Sequence, residues 1–478
     1  MSLINVGSEA NDGTGDPLRT AFQKLNANVP RFYFANVGTA IENDTALTYT
    51  SGQMNSVAEG DTIWTQDGFR FSVLASGASD YHRETGGGVK LWAEPAPDGS
   101  VSILQFGAST SASNNAPMIQ AALNAFDVIR VPEGIFGITA PLEVGNGKKI
   151  LGWDGGGGAM GSPKCRIRKT TNTAISGGPR DGINAIIVAW RGSGAKGDFV
   201  SHVQIKDIML EADSVNKVEY GIHAADATMW YMENVAIDLC RIGFFTHDAW
   251  LMNFQSVYVR GVTIEHPSIG PVGGWDTSTH GPVYGFVWDH YEGVGAGPGN
   301  TFTSCWARNV SIGWYIRGMG YSTFNSCAAD QISRRAWYFE SSRVSLNGCG
   351  TENCFMDPAL MHITGTNSYV ALNGFSTDPR MRGNDGGGET ATILITAGAN
   401  VVMNACRFND FSASPGPGNS HNIIVKGSGS HLVTNQCQFP TNGNSNVLYQ
   451  NGATWVETRN GETRWKNANG TTTQGPPR

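Results

Sequence analysis

The sequence predicts an all-β chain whose largest part is a parallel β-helix, and three observations predict it. A four-residue phrase returns along the second half: Phe324-Asn325-Ser326-Cys327, Leu346-Asn347-Gly348-Cys349, Leu372-Asn373-Gly374-Phe375, Met403-Asn404-Ala405-Cys406 and Thr434-Asn435-Gln436-Cys437. Its asparagines lie 22, 26, 31 and 31 residues apart. Each phrase is followed by a second short apolar run, such as Trp314 to Ile316, Trp337 to Phe339 or Met361 to Ile363, too short to stand as an isolated strand. The composition agrees, with 62 glycines, 20 prolines and only 15% charged residues among 478, as a turn-rich chain of low charge should have. Repeats of this length, built from strand-length runs without helical periodicity, stack as coils ~4.8 Å apart, so that equivalent residues form columns.

Four earlier copies replace the asparagine: Ile205-Lys206-Asp207-Ile208, Met232-Glu233-Asn234-Val235, Phe254-Gln255-Ser256-Val257 and Phe302-Thr303-Ser304-Cys305. In most copies the residue before the central one and the second residue after it are both apolar, so alternation breaks and the chain must bend. The asparagine is expected to take the left-handed conformation of that bend and to bond through its amide to the amides above and below. Two positions on, Ile208, Val235, Val257, Cys305, Cys327, Cys349, Phe375, Cys406 and Cys437 should point inward. Five positions on, Glu211, Asp238, Arg260, Arg308, Asp330, Glu352 and Asp378 should face out as a charged stripe.

Taken in order, residues 1–30 hold Asp16 and Pro17 ahead of Leu18, Phe22, Leu25 and Val29, which reads as a short amphipathic helix with a good cap. Residues 31–97 read as a small β domain, with turn signals at Glu59-Gly60-Asp61-Thr62 and Gln66-Asp67-Gly68-Phe69. The β-helix is assigned to 98–450. Near its start, Met118, Ile119, Ala122, Leu123 and Phe126 share a helix face placed to cover the open edge of the first coil. Residues 451–478 read as a short C-terminal β extension.

The run from Phe106-Gly107-Ala108 through Ala116 to Ala125 and on to Ile129-Arg130-Val131-Pro132-Glu133-Gly134-Ile135 resembles the start of the pectate-lyase-like right-handed β-helix of bacteriophage tailspikes and depolymerases. The segment Asn11 to Asn28 resembles a phrase common at the N-termini of phage tail fibres and tailspikes. The resemblance implies a virion-attached homotrimer, made in the host cytoplasm and acting at the host cell surface. Its N-terminus would meet phage tail or baseplate proteins, and its partner would be a bacterial surface polysaccharide, in capsule or lipopolysaccharide O-antigen. It carries over no catalytic position.

The chemistry must therefore come from the columns. Asp330, Glu352 and Asp378 occupy consecutive coils, where mutual repulsion raises the proton affinity of at least one, as a general acid beside a nucleophile or base requires. Solvated acids on an exterior face are the bland alternative. Arg308 and Trp306 lie below them, and Tyr315, Tyr338, His362, Arg317 and Glu340 stand on the facing strand, a set suited to stacking on sugar rings and holding carboxylates. The expected reaction is glycosidic hydrolysis by paired carboxylates. The alternatives are β-elimination with Arg308, His362 or a tyrosine as base, and a tail adhesin that binds glycan without cutting it. An insertion from Gly261 to Pro282, with Trp275, Asp276 and His280, and nearby Asp289, His290 and Glu292, should wall a site. Outward Leu394, Ile424 and Leu448 should form an apolar ridge that the homotrimer covers.

The formal net charge of −7 speaks against nucleic acid, and no stretch has the length to insert in a membrane. The eight cysteines are read as buried free thiols. No cofactor or metal is expected: Cys349 and Cys354 lack a second Cys/His pair at zinc spacing, and no dense acidic cluster marks calcium.

Overall fold

In the computed structural model the chain divides into two compact units, Met1–Ser109 with Asn124–Phe126, and Thr110–Leu123 with Asp127–Arg478. The structure describes residues 20, 39–45, 47–50, 56–153, 164–177, 181–189, 199–213, 218–261, 282–289, 297–355, 358–380, 390–409, 420–439, 447–459, 462–467 and 472–474. The expected helix of residues 1–30 and the insertion residues Trp275, Asp276, His280, His290 and Glu292 lie outside the described residues.

The first unit contains a four-stranded antiparallel sheet of β1 (Thr62–Trp64), β2 (Arg70–Val73), β3 (Arg83–Glu84) and β4 (Lys90–Ala93), in the order β1-β2-β4-β3. The Gln66–Phe69 signal makes the first turn, where Gly68 takes a φ of 87° and donates to the Thr65 carbonyl at 2.9 Å. Alternation then puts Ile63, Phe71, Val73, Leu91 and Ala93 on the buried side.

The second unit is a right-handed parallel β-helix. One face is an eleven-stranded sheet running from Leu142–Val144 at one end to Val447–Gln450 at the other. The other two runs of each coil form a bent sheet, the phrase marking the bend; Ser322–Asn325, for example, turns into Ala328–Asp330. At the start of the unit the helix Ala116–Ala125 buries Ala116, Ile119, Ala122 and Leu123. Its Gln120 side chain accepts from Glu143 N–H at 2.8 Å and donates to Glu143 C=O at 3.0 Å, satisfying that strand's edge as a further strand would. At the other end, Thr454–Arg459 adds in parallel to His431–Asn435, after which Glu462–Asn467 and Thr472–Gln474 pair antiparallel.

The asparagine ladder forms. Asn347, Asn373, Asn404 and Asn435 each donate through Nδ2 to the Oδ1 of the asparagine one coil before, at 2.9, 2.8, 2.8 and 2.8 Å. The left-handed residue, however, is the one after the ladder position. Asp207, Asn234, Ser256, Ser304, Ser326, Gly348, Gly374, Ala405 and Gln436 all have φ between 51° and 63°. The asparagines stay in strand geometry because a ladder needs its side chains parallel and in register; the next residue absorbs the corner. The second residue on turns inward, burying the column from Ile208 to Cys406, with Cys437 half-buried. All eight cysteines are free.

Coils in the middle carry an aromatic interior. Phe286 stacks on Trp314 (4.0 Å between centroids), Trp314 on Trp337 (5.2 Å) and Phe302 on Phe324 (4.6 Å). Each such pair contributes roughly 0.5–1.5 kcal/mol beyond its buried area, and the stack stiffens the coils that bear the charged column. The expected apolar ridge is different from what the sequence implies. Ile424 is only 1% exposed and packs with Ala359 and Ala391, while Leu394 and Leu448 lie half-buried against them. Small alanines on neighbouring coils let the large side chains fold down onto the sheet, so there is no continuous outward ridge of these three for other copies to cover.

Candidate active site

The second run of each coil ends on the charged column. Parallel register sets Arg168, Glu211, Asp238, Arg260, Arg308, Asp330 and Glu352 one above another. The column does not face solvent throughout, because Glu211, Asp238 and Asp330 are 5%, 2% and 7% exposed. In the lower coils each buried acid has an arginine partner, although burial still raises the proton affinity of Asp238 and its Oδ1 has no hydrogen-bond partner. Glu211 accepts from Arg168 at 2.7 Å, and Asp238 pairs with Arg260. A covered carboxylate persists beside a cation that offsets its desolvation, and the expectation of a solvated stripe fails there for that reason.

Above Arg308 the arginines of this column stop. Arg308 Nε donates to Gln331 Oε1 at 2.8 Å and stands 3.7 Å from Asp330 Oδ2. Asp330 Oδ1 is buried without a hydrogen-bond partner. Burial raises the proton affinity of this carboxyl, Arg308 pulls it down, and Glu352 and Asp378 push it up again; the net direction is upward. Glu352 pairs in register with Asp330 on the next strand and is exposed. Asp378 is half-buried one strand further, where a bulge between Thr351–Thr377 and Cys354–Pro379 sets Glu352 and Asn353 against it. Among the described residues no three His, Cys, Asp or Glu side chains gather to hold a metal ion. Trp306, half-buried, flanks the acids, with Tyr258 at 5.5 Å and the Arg308 guanidinium 5.9 Å from its ring.

The remaining predicted residues form a second group on the eleven-stranded sheet. Tyr315, Tyr338 and His362 are in register, with Tyr315 stacked on Tyr338 at 4.8 Å and His362 edge-on to Tyr338 at 5.5 Å. Arg317 is held between Asp289 (2.9 Å) and Glu340 (3.2 Å), and Tyr338 OH donates to Glu340 at 2.7 Å. The His362 ring is lowered to about 4, by burial first and then by Arg335, so it is neutral at neutral pH. Burial and Glu340 raise the Tyr338 hydroxyl, which stays protonated. The charges acting on Asp330 are Arg308, Glu352 and Asp378, and those acting on His362 are Arg335 and Glu340. The acids lie on the bent sheet and the aromatic set on the eleven-stranded one, so the predicted site residues divide into an acid group and a tyrosine–histidine group.

Sequence reasoning missed a third group. Counted four positions before the ladder asparagine, Tyr321, Arg343 and Tyr369 head the first run of three successive coils and are exposed. The same counting that found the acids finds them, but the count had been carried only forward from the asparagine.

No family model matches the chain, and no curated protein matches it in sequence. Among solved structures, the Acinetobacter phage vb_AbaP_AS12 gp42 tailspike matches with a TM-score of 0.67 at 15% identity, over 94% of this chain and 78% of that one. The Acinetobacter phage vB_ApiP_P1 tailspike protein matches with a TM-score of 0.52 at 13% identity, over 83% of this chain and 68% of that one. At such identities the likeness is one of fold: this chain shares the right-handed parallel β-helix of phage tailspikes.

Proposed function

We propose that this protein is a phage tailspike that binds a bacterial surface polysaccharide, in capsule or O-antigen, and hydrolyses its glycosidic bonds. The shared tailspike fold supports the binding half of this reading. The observation that carries the chemical half is the register pair Asp330–Glu352, a buried carboxyl of raised proton affinity beside an exposed one. Two titratable groups whose surroundings differ in this way suit an acid and its partner. Asp330 donates its proton to the leaving glycosidic oxygen, and Glu352 acts as nucleophile or base. Neighbouring strands lie ~4.8 Å apart at the backbone, close to the ~5–5.5 Å carboxyl separation of retaining enzymes. Asp378 keeps negative charge near the pair, while Arg308 and Trp306 hold the sugar. The tyrosine–histidine group offers a second saccharide surface, with Arg317 and Glu340 at its edge. The N-terminal residues would attach to the phage tail.

The test is incubation of the purified protein with polysaccharides from a panel of hosts, reading new reducing ends. Binding to a polysaccharide without release of fragments contradicts hydrolysis and leaves the adhesin. A second reading is β-elimination next to a uronate carboxylate. Tyr315 and Tyr338, stacked at 4.8 Å beside Arg317, are the better-placed base candidates for it, since His362 Nε2 is bonded to Thr396 at 3.0 Å and its Nδ1 is buried. Fragments from this reaction would absorb in the ultraviolet through a new double bond. We also propose the homotrimer, with an altered contact. The large exposed apolar side chains Met229, Trp250 and Leu251 lie on neighbouring coils and form a surface that other copies would cover. Mass by light scattering tests it: a wild-type protein that runs as a monomer contradicts it.

A further inference from the structure

We propose that the groove along Tyr321, Arg343 and Tyr369 binds a carboxylate-bearing saccharide and holds it without cutting it, apart from the acid pair. The groove encloses about 660 Å³, within the roughly 300–1,000 Å³ of small-molecule sites. Its floor is small, since Thr323, Ser345 and Ala371 are in register on three strands. Its wall is aromatic, with Tyr321 73% and Tyr369 51% exposed.

Tyr321 sits in a turn with φ of 47°, a position that holds Gly299 (78°), Leu251 (56°) and Met229 (57°) in earlier coils, so the turn accepts a side chain without dictating which. Exposed aromatic faces at this spacing suit the apolar faces of sugar rings.

Charge narrows the ligand. Arg343 donates to Tyr321 OH at 3.0 Å and lies 5.8 Å from its ring, and among the described residues it has no carboxylate partner. Arg168, Arg241, Arg260, Arg308 and Arg317 in the same β-helix all have one. The groove lining contains no Asp, Glu, His, Cys or Lys, so it offers a guanidinium for an anion and lacks the carboxyl pair that the proposed hydrolysis uses. A guanidinium that projects its planar fork from a ring face is suited to a carboxylate. Hydroxyls and amides of Thr323, Ser345 and Asn367 supply the remaining polar partners of a sugar.

The saccharide class rests on the proposed function, and the experiment separates the two. The full-length protein is applied to an array of bacterial capsular and O-antigen saccharides, some with carboxylates and some neutral. Wild type should retain carboxylate-bearing members. Arg343→Ala and Tyr369→Ala should each weaken that binding about tenfold or more, with unchanged melting temperature and unchanged mass in solution. Retention of neutral members alone, or binding indifferent to both groove substitutions, overturns the groove and leaves depolymerisation standing. Loss of mass in solution in these variants also overturns it, because the groove would then be a contact between copies. Failure to retain any saccharide overturns groove and proposed function together.

Discussion

The lower and upper halves of one column carry the same kinds of residue at the same register and differ in what they can do. Below, Glu211 and Asp238 each meet an arginine from a neighbouring coil, and the charges close on themselves. Burial raises the proton affinity of both Asp238 and Asp330; above, a single arginine faces Asp330, Glu352 and Asp378, and it is the neighbouring carboxylates that distinguish Asp330. Stacking makes columns, but the sign of the residues one coil away decides whether a carboxylate in the column is structural or reactive.

The largest effect expected from breaking this contrast is in the upper half. Glu352→Gln should lower the rate of fragment release by about 10²–10⁴-fold while leaving saccharide retention intact, measured on the same polysaccharide. Next is the scaffold under both halves. Asn373→Leu removes one ladder bond to Asn347 and another from Asn404 and leaves their partners unmatched, costing about 2 kcal/mol in denaturant unfolding.

A lower-half substitution should separate stability from chemistry. Asp238→Asn leaves Arg260 without its partner, but that arginine is partly exposed, so the cost should be about 1 kcal/mol with no change in rate. Acid sharpens the picture elsewhere in the β-helix. His223 is lowered to about 4 by burial, with His247 adding to it. Its folded value lies below the ordinary ~6.5, so the unfolded chain binds more protons between these values. Stability is therefore full above pH ~6.5 and falls as pH drops toward 4; His223→Phe lacks this loss, so the wild-type melting temperature should fall relative to that of the variant as the pH is lowered. The smallest effect is electrostatic. The raised Asp330 loses its proton as pH rises, so the rate should fall on the alkaline side, and Asp378→Asn should move that fall to slightly lower pH.

Much of the fold was legible because columns repeat. The phrase and its strand runs recur nine times, five of them with the ladder asparagine and five with the inward cysteine. The left-handed residue was misplaced by one because asparagine tolerates that conformation, and the sequence does not show that a side-chain ladder demands extended backbone. The acids were found, but their burial was not, since cover comes from neighbours in other coils. Ile424 went wrong for the same reason: Ala359 and Ala391 are unremarkable in sequence and decisive in space. Tyr321, Arg343 and Tyr369 precede the apolar alternation that defines each run, where no periodic signal draws notice.

The central claim is that Asp330 and Asp238, alike in column, burial and residue type, differ in role because of their neighbours. The most direct test measures reducing-end release by Asp330→Asn and Asp238→Asn on one polysaccharide that wild type degrades. The account predicts that Asp330→Asn abolishes release and, since the raised carboxyl is costly to ionise when folded, does not lower the melting temperature at neutral pH, whereas Asp238→Asn releases fragments at the wild-type rate. Equal rates from the two variants, or loss of activity only with Asp238→Asn, would contradict it.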